Sequence, residues 1–472
     1  MKNPRSIVVI VVMVAVIVVV AAFMRMKFSF TFQLGGYGGR TEDAGVEFQR
    51  GMASLHAQNF TEGIKWIRKA ADQNNAPAQF NLGVCYAQAI GVSRDDVQAI
   101  QWYRKAADQN YADAENNLGE MYEHGEGVTQ DRAAALGWYR RAAGQSNSLA
   151  EFNLGECYDN GWGVAPDKTL AAQWYGKAAE GNISIAQYNL ANFFYSGRGV
   201  TQDYKQAADW YRKAAEQGLA QAQFDLGSCY EDGRGVAANA LEAFKWYRQA
   251  ADQNEPRAEN ELGNFYSAGE GGVAANLVDA VKWYRRAAEQ NYGEAEYNLG
   301  LCYLDGQGVA TNESEALGWY RKGVAQTNAD AELGLGNCYQ KGEGIPDDHG
   351  EAVRWYHESA EQGNAQAEYN LGVSYLEGDG IGKNEEEAVK WLKKAAEQNL
   401  AKAQNNLGVC FASGKGVARD YTLAYKWFKL ASRQGISEAG DNLRKTMGLL
   451  TPDQTTNAER MILEFKPTEA ND

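Results

Sequence analysis

Six cysteines are the side chains of this 472-residue chain best suited to nucleophilic or metal chemistry. Each stands directly before an aromatic residue, at Cys85, Cys157, Cys229, Cys302, Cys338 and Cys410. Met121, Phe193 and Phe265 stand at the same point of the pattern elsewhere, and exchange with such residues is typical of buried packing positions. Neighbouring helices lie about 10 Å apart, whereas a disulfide needs Cα atoms within about 7 Å. We therefore expect buried free thiols and no metal site.

The four histidines, His56, His124, His349 and His357, do not form a catalytic pattern. No two of them are three or four residues apart, which is the spacing that brings side chains together on a helix. The acids recur with the same period as the cysteines and suggest no Ser–His–Asp or paired-carboxylate set. The sequence therefore predicts no enzyme activity, no cofactor and no small-molecule substrate.

A Gly-x-Gly-[Val/Ile] motif recurs nine times and invites comparison with phosphate-binding loops. Its leading glycines are Gly125, Gly161, Gly197, Gly233, Gly269, Gly306, Gly342, Gly378 and Gly414. No Gly-Lys-[Ser/Thr] follows the motif and no strand is expected before it, so phosphate binding is not favoured. Glycine with positive φ commonly ends a helix. The motif therefore predicts a loop that closes one helix of a repeated unit.

Eleven tryptophans follow the same period, which points to the elements that carry all these residues. They are Trp66, Trp102, Trp138, Trp174, Trp210, Trp246, Trp283, Trp319, Trp355, Trp391 and Trp427, at nine intervals of 36 residues and one of 37. A fixed period of this length is typical of a solenoid. Apolar residues recur at helical spacing and no window alternates with a period of two. We predict an all-α fold of about 11 antiparallel helix pairs.

Small residues are expected to let these helices approach each other closely. Gly119 and its equivalents follow the repeat leucine, with Ala191 as the exception, although glycine inside a helix costs about 1 kcal/mol relative to alanine. We expect the tryptophans to fill the space that these glycines leave open.

An apolar N-terminal run predicts attachment to a membrane. Residues 7–24 are eighteen consecutive apolar residues, which as a helix reach roughly 27 Å, close to a hydrocarbon core of about 30 Å. Cleavage after residues 20–22, as in a signal peptide, is the alternative. We expect a single-pass membrane protein with its body outside the cytoplasm, in a periplasm or lumen, and leave the cytoplasmic side open. The predicted organisation is a transmembrane signal-anchor at 1–27, a linker at 28–43, a first repeat at 44–75, a repeat array at 76–436, and closing helices with a tail at 437–472.

The charge distribution excludes one class of partner. Residues 1–40 contain five basic residues and no acidic one, which leaves 41 basic and 61 acidic residues beyond them, a formal charge of −20. An acidic body argues against nucleic acid as the partner.

The repeated unit resembles the Sel1-like repeat, a relative of the tetratricopeptide repeat. The resemblance rests on Ala-x-Ala-[Glu/Gln]-x-Asn-Leu-Gly, the Gly-x-Gly-Val loop and Ala-x-x-Trp-Tyr-x-Lys-Ala-Ala, and residues 220–253 and 365–398 match best. It covers residues 76–434, and the shorter first unit looks more like a tetratricopeptide repeat. The resemblance implies a right-handed superhelix that serves as a protein-interaction scaffold. A cysteine-rich branch linked to β-lactam binding carries paired cysteines in each repeat, whereas this chain has one at most.

Two functional hypotheses follow. The first is a membrane-tethered scaffold that binds proteins or peptides along a concave first-helix groove, and the alternative is a cell-wall-active or β-lactam-binding hydrolase. In similar repeats the groove position precedes the repeat leucine, and here it holds Asn81, Asn117, Asn153, Asn189, Asn298, Asn370 and Asn406. These asparagines either hold a partner's backbone or bond neighbouring repeats. More variable candidates for specificity are Glu120, Glu156, Asn192, Asn264 and Asn337, whose acids would favour segments containing Lys or Arg.

Overall fold

The computed structural model describes residues 43–468. Over this range the chain forms 24 α-helices and no strand, which confirms the predicted fold class. None of these helices has the length and hydropathy needed to cross a membrane. The predicted anchor at residues 7–24 lies outside the described residues.

The chain divides into two compact units, residues 1–111 and 112–472. The described part of the first unit contains two helix pairs, α1 (Ala44–His56) with α2 (Phe60–Asp72), and α3 (Ala76–Gln88) with α4 (Asp96–Ala107).

The second unit contains nine further pairs and two closing helices. The first helices of these pairs are α5 (Ala112–His124), α7 (Ser148–Asn160), α9 (Ser184–Ser196), α11 (Ala220–Asp232), α13 (Pro256–Ala268), α15 (Gly293–Asp305), α17 (Ala329–Lys341), α19 (Ala365–Glu377) and α21 (Ala401–Ser413). The second helices are α6 (Arg132–Ala143), α8 (Lys168–Glu180), α10 (Tyr204–Glu216), α12 (Ala240–Ala251), α14 (Leu277–Glu289), α16 (Glu313–Ala325), α18 (His349–Glu361), α20 (Glu385–Glu397) and α22 (Tyr421–Arg433). The closing helices are α23 (Ser437–Met447) and α24 (Pro452–Leu463).

The Gly-x-Gly loop has the structural role that the sequence predicts. Its first glycine ends the first helix in the left-handed conformation, as Gly161 does at φ 77°. Its second glycine crosses the start of the preceding repeat's second helix, and a Cβ on Gly163 would lie 2.3 Å from the carbonyl oxygen of Arg132. Glycine is thus required twice, once by backbone conformation and once by contact. The inserted Gly272 lies in such a loop, between α13 and α14.

The close approach within most helix pairs is made by tyrosine, and the expectation that tryptophan fills this space is wrong. A Cβ on Gly155 in α7 would lie 2.5 Å from ring carbons of Tyr175 in α8, and Gly119 faces Tyr139 in the same way. Both tyrosines are fully buried. Side chains of adjacent residues point about 100° apart around the helix axis, so two neighbours in sequence cannot face the same partner helix. The residue that follows each periodic tryptophan faces the partner helix, while the tryptophan faces another neighbour. That residue is tyrosine in eight repeats and Ile67, Leu392 or Phe428 in the other three.

The tryptophans join successive repeats instead. Trp174 of α8 packs against the core between α6 and α7, and Trp210 of α10 packs against the core between α8 and α9. Both indoles are half-buried. The ammonium group of Lys177 lies 3.9 Å from the Trp174 ring centroid, and Lys213 lies 3.5 Å from that of Trp210. Each indole therefore contributes apolar contact on one side and a cation–π contact on its outer side.

The six cysteines are buried and unpaired, as predicted. Burial raises the pKa of the Cys85 and Cys229 thiols to about 12. A thiol that stays protonated is a poor nucleophile and a poor metal ligand. The cysteines therefore serve as small packing residues.

The closing helices cover the last repeat. Thr451 and Gln454 form a reciprocal capping box at the start of α24, and Ala458 and Ile462 are buried against the last core. Beyond α24, the ring of Phe465 meets Trp427 edge to face at 5.7 Å.

Candidate partner-binding surface

The predicted groove residues of the second unit lie on one side of its odd-numbered helices, and we call this surface the first-helix face. Its predicted members are half-buried; they are Asn117, Asn153, Asn189, Asn298, Asn370, Asn406, Glu120, Glu156, Asn192, Asn264 and Asn337. Asn81 belongs to the first unit, where its amide donates to Pro77 O of its own helix at 2.8 Å.

The asparagine row links one repeat to the next. Asn153 Nδ2 donates to Asn116 Oδ1 at 2.9 Å, and Asn298 Nδ2 donates to Asn260 Oδ1 at 2.9 Å. Asn189 Nδ2 instead donates to Glu156 Oε1 at 3.1 Å. These bonds join residues 33 to 38 positions apart. The architectural role is therefore present at these asparagines, and their remaining polar atoms are what a partner could use.

The variable row accepts hydrogen bonds from the buried tyrosines of the second helices. Tyr175 Oη donates to Glu156 Oε1 at 2.5 Å. The equivalent tyrosines Tyr211, Tyr284 and Tyr356 donate to Asn192, Asn264 and Asn337 at 2.5, 2.8 and 2.9 Å. In α5 the partner of Tyr139 is Glu123, one turn beyond the predicted Glu120. The tyrosine hydroxyls thus fix these side chains from the core side. The remaining polar atoms of the row, which face outward, keep a defined orientation.

A second polar row lies between the helices and was missed from the sequence. Gln109 Nε2 donates to Gln79 Oε1 at 2.7 Å in the first unit, and Gln398 Nε2 donates to Glu368 Oε2 at 2.9 Å in the second. Both pairs span 30 residues, so the signal was the recurring [Glu/Gln] of the first helix together with the Gln that follows the second helix. Gln79 and Glu368 are buried, whereas Gln109 is exposed and Gln398 is half-buried, so the row joins neighbouring repeats from the core to the surface.

Carboxylates concentrate on the first helices. The nine first helices from α5 to α21 contain 19 acidic and 3 basic residues, a formal charge of −16. The nine second helices from α6 to α22 contain 15 acidic and 22 basic residues, a charge of +7. The two layers of helices therefore differ strongly in charge, although they belong to one acidic body.

Several of these carboxylates repel one another across repeats. Burial raises the pKa of the Glu261 carboxyl, and the negative charges of Glu231 and Glu294 raise it further. Burial likewise raises the pKa of Glu156, with Asp159 and Glu123 adding to the effect. A positive charge placed beside them would relieve this repulsion, so the face is suited electrostatically to cationic groups. Glu231 and Glu294 were not among the predicted residues, because they lie outside the two rows that follow the motif.

Comparison with known proteins gives the same repeat boundaries as the helices. The family model described as Sel1 repeat matches eleven consecutive segments, residues 45–75, 76–111, 112–147, 148–183, 184–219, 220–255, 256–292, 293–328, 329–364, 365–400 and 401–436. The first segment is the unit that the sequence alone likens to a tetratricopeptide repeat. No curated protein matches the chain.

Two solved structures of bacterial proteins are similar. The crystal structure of c5321, described as a protective antigen present in uropathogenic Escherichia coli strains and displaying an SLR fold, is 34% identical with a TM-score of 0.76; the alignment covers 90% of this chain and 91% of that one. A Sel1 repeat protein from Oxalobacter formigenes is 37% identical with a TM-score of 0.49, and the alignment covers 53% of this chain and 96% of that one. Eleven segments match the family model, and the c5321 structure is 34% identical over nine-tenths of both chains. The chain therefore belongs to the Sel1 repeat family.

Proposed function

We propose that this protein is a membrane-tethered scaffold that binds partner proteins through the first-helix face. The observation that carries the proposal is the separation of charge between the two helix layers. A repeat fold held together by its own tyrosines and tryptophans leaves its outer polar atoms available for binding. The acidic layer selects basic or neutral segments of a partner and rejects acidic ones.

The hydrogen-bonded rows support a binding surface of defined geometry. Glu156 and Asn264 each accept a tyrosine hydroxyl from behind, so their orientation does not have to be fixed when a partner arrives. A surface ordered in advance loses less conformational entropy on binding. Extended segments of a partner would lie across successive repeats and meet one such group about every 10 Å.

The membrane tether rests on residues 7–24, whose apolar run is long enough for a bilayer. A body on the outer side of that membrane, in the periplasm or lumen, is part of the same proposal. Tethering would concentrate the acidic face near the membrane and raise its effective concentration toward partners there.

The test compares two sets of charge-neutralising substitutions of equal size. Glu231→Gln, Glu261→Gln and Glu294→Gln together remove three charges from the first-helix face, and each glutamine can still accept a hydrogen bond. The matched control removes three charges from the second helices, through Asp209→Asn, Glu242→Gln and Asp279→Asn. Both variants are expressed as the full chain and fused to a proximity-labelling enzyme.

Loss of specific labelled partners in the first set alone is the expected result. Equal partner profiles for the first set, the control and the parent protein would count against binding through this face. Labelling of proteins from both sides of the membrane, independent of the substitutions, would count against a fixed orientation.

A further inference from the structure

One arginine of the chain already occupies a cation site on the first-helix face. The guanidinium carbon of Arg257, near the start of α13, lies 4.2 Å from the ring centroid of Phe224 in α11. Arg257 Nε lies 2.7 Å from Glu255 Oε1, and Nη1 lies 3.6 Å from Asp225 Oδ1. The Arg257 side chain keeps about a third of its surface exposed (33%). An aromatic ring and carboxylates thus hold a guanidinium group between two successive repeats.

An equivalent place two repeats further along has the ring and a carboxylate but no arginine. Tyr297 in α15 takes the place of Phe224, and Asp330 in α17 takes the place of Arg257, with 33 positions between the two residues in both cases. The two rings are seated alike, because Phe224 meets Tyr247 at 5.4 Å and 37°, while Tyr297 meets Tyr320 at 5.9 Å and 33°.

Asp330 is held in place but keeps an oxygen for a ligand. Asn364 Nδ2 donates to Asp330 Oδ1 at 2.7 Å, and no side chain between residues 43 and 468 donates a hydrogen bond to Oδ2. No lysine or arginine of that range pairs with Asp330. Asp330 stands at the position from which the Arg257 side chain reaches the equivalent ring, which places its carboxylate beside Tyr297. Burial raises the pKa of the Tyr297 hydroxyl, and the Asp330 charge raises it further.

We propose that Tyr297 and Asp330 form a subsite for an arginine side chain of a bound partner segment, with the Tyr297 ring stacked on the guanidinium group as Phe224 is on that of Arg257. The carboxylate comes from Asp330 itself, because Asn298 and Asn328 stand where Asp225 and Glu255 do. The planar guanidinium stacks on the tyrosine ring while one N–H edge donates to Asp330 Oδ2. This proposal deepens the proposed scaffold function and rests on it for its biological meaning. The competing role for Asp330 is purely local, since an acidic residue in the first turn stabilises a helix.

The experiment measures binding of a fluorescent peptide with three arginines spaced by glycine to the full chain, by fluorescence anisotropy. A peptide with citrulline in place of arginine, which keeps the shape and loses the charge, is the ligand control. Asp330→Asn removes the charge but keeps an acceptor for Asn364. Asp330→Arg supplies an internal guanidinium group that would occupy the subsite, as Arg257 does.

Two further variants separate the subsite from the general charge of the face. Asp209→Arg makes the same charge change as Asp330→Arg, but on the second helix α10. Arg257→Gln empties the existing cation site and leaves Asp225 and Glu255 for the peptide. Circular dichroism confirms that each variant keeps its helix content.

We expect Asp330→Asn to weaken arginine-peptide binding about three- to tenfold and Asp330→Arg to weaken it further, with less than about a twofold change for Asp209→Arg. Arg257→Gln should strengthen binding about threefold or more. Equal weakening by Asp330→Arg and Asp209→Arg, or equal binding of arginine and citrulline peptides, would overturn the subsite. Peptide binding that does not change with the Asp330 substitutions would rule out this subsite. If partner labelling still depended on the first-helix face in that case, the proposed function would stand without the subsite.

Discussion

Replacing Gly155 with alanine puts a methyl group where the ring of Tyr175 now lies. The added Cβ would approach two ring carbons to 2.5 Å, about 1 Å inside ordinary contact. Tyr175 is fully buried, and its hydroxyl bonds to Glu156, so the ring cannot move without weakening that bond. The substitution therefore tests the contact on which each helix pair is built.

The magnitude follows from two opposing effects. Alanine is a better helix former than glycine by about 1 kcal/mol, whereas overpacking of a core costs about 1–3 kcal/mol. Gly176, inside α8, is the matched control because a Cβ there would meet nothing within 4 Å. Gly176→Ala should stabilise the protein by about 1 kcal/mol, and Gly155→Ala should leave it less stable than Gly176→Ala by about 1–3 kcal/mol. Ala191, the natural alanine at this place in α9, shares a core cluster with Tyr211, which indicates that the ring can shift at moderate cost.

Hydrogen exchange of the α7 and α8 amides is the suitable assay, since a repeat protein can open locally and one global midpoint can miss the change. Protection in these helices should fall for Gly155→Ala and rise for Gly176→Ala, relative to the parent. If both variants gained protection equally, the close approach of glycine and tyrosine would not be the contact that sets the helix spacing.

Three further outcomes are expected from buried polar groups. Tyr175→Phe should cost about 1–2 kcal/mol in local stability by hydrogen exchange, because Glu156 loses its hydroxyl donor; an unchanged protection pattern would contradict this. Burial raises the pKa of Glu368 to about 7, so the folded protein holds this proton more tightly than the unfolded chain and loses stability as the pH rises from about 4.5 to above 7. Glu368→Gln should therefore raise the thermal midpoint at pH 8 and leave it nearly unchanged at pH 4, and a gain of equal size at both pH values would refute the assignment. Among residues 43–468, neither oxygen of the buried Glu296 carboxyl has a hydrogen-bond partner. Glu296→Gln should therefore also raise the midpoint at pH 8, and a lower midpoint would contradict this.

Much of the fold could be predicted from the sequence because the same local geometry recurs in every repeat and leaves the same residue pattern each time. The Gly161 cap, the inserted Gly272 and the capping box at Thr451 are local features, set by φ angles and by bonds within a few residues. The tryptophan period likewise gave the number and spacing of the helix pairs, and the free cysteines followed from exchange with Met and Phe.

The contacts between helices could not be predicted in the same way. Tyr175 and Trp174 are adjacent in sequence, and only the rotation of α8 decides which of them faces Gly155. The asparagine bonds between repeats depend on the offset of one helix along the next, as in the bond from Asn153 to Asn116. The same limit applies to the binding face, because the carboxylates that act on Glu261 come from helices one repeat away on either side.

Site-specific photo-crosslinking in living cells tests the central claim most directly. A photo-reactive amino acid is placed in the full chain at Gln221 or Glu294, which are exposed on the first helices α11 and α15. The matched positions are Lys245 and Lys282, which are exposed on the second helices α12 and α14. We predict discrete crosslinked partner proteins from the first-helix positions and few or none from the second-helix positions. Partners captured only from Lys245 and Lys282 would contradict the assignment of the binding surface.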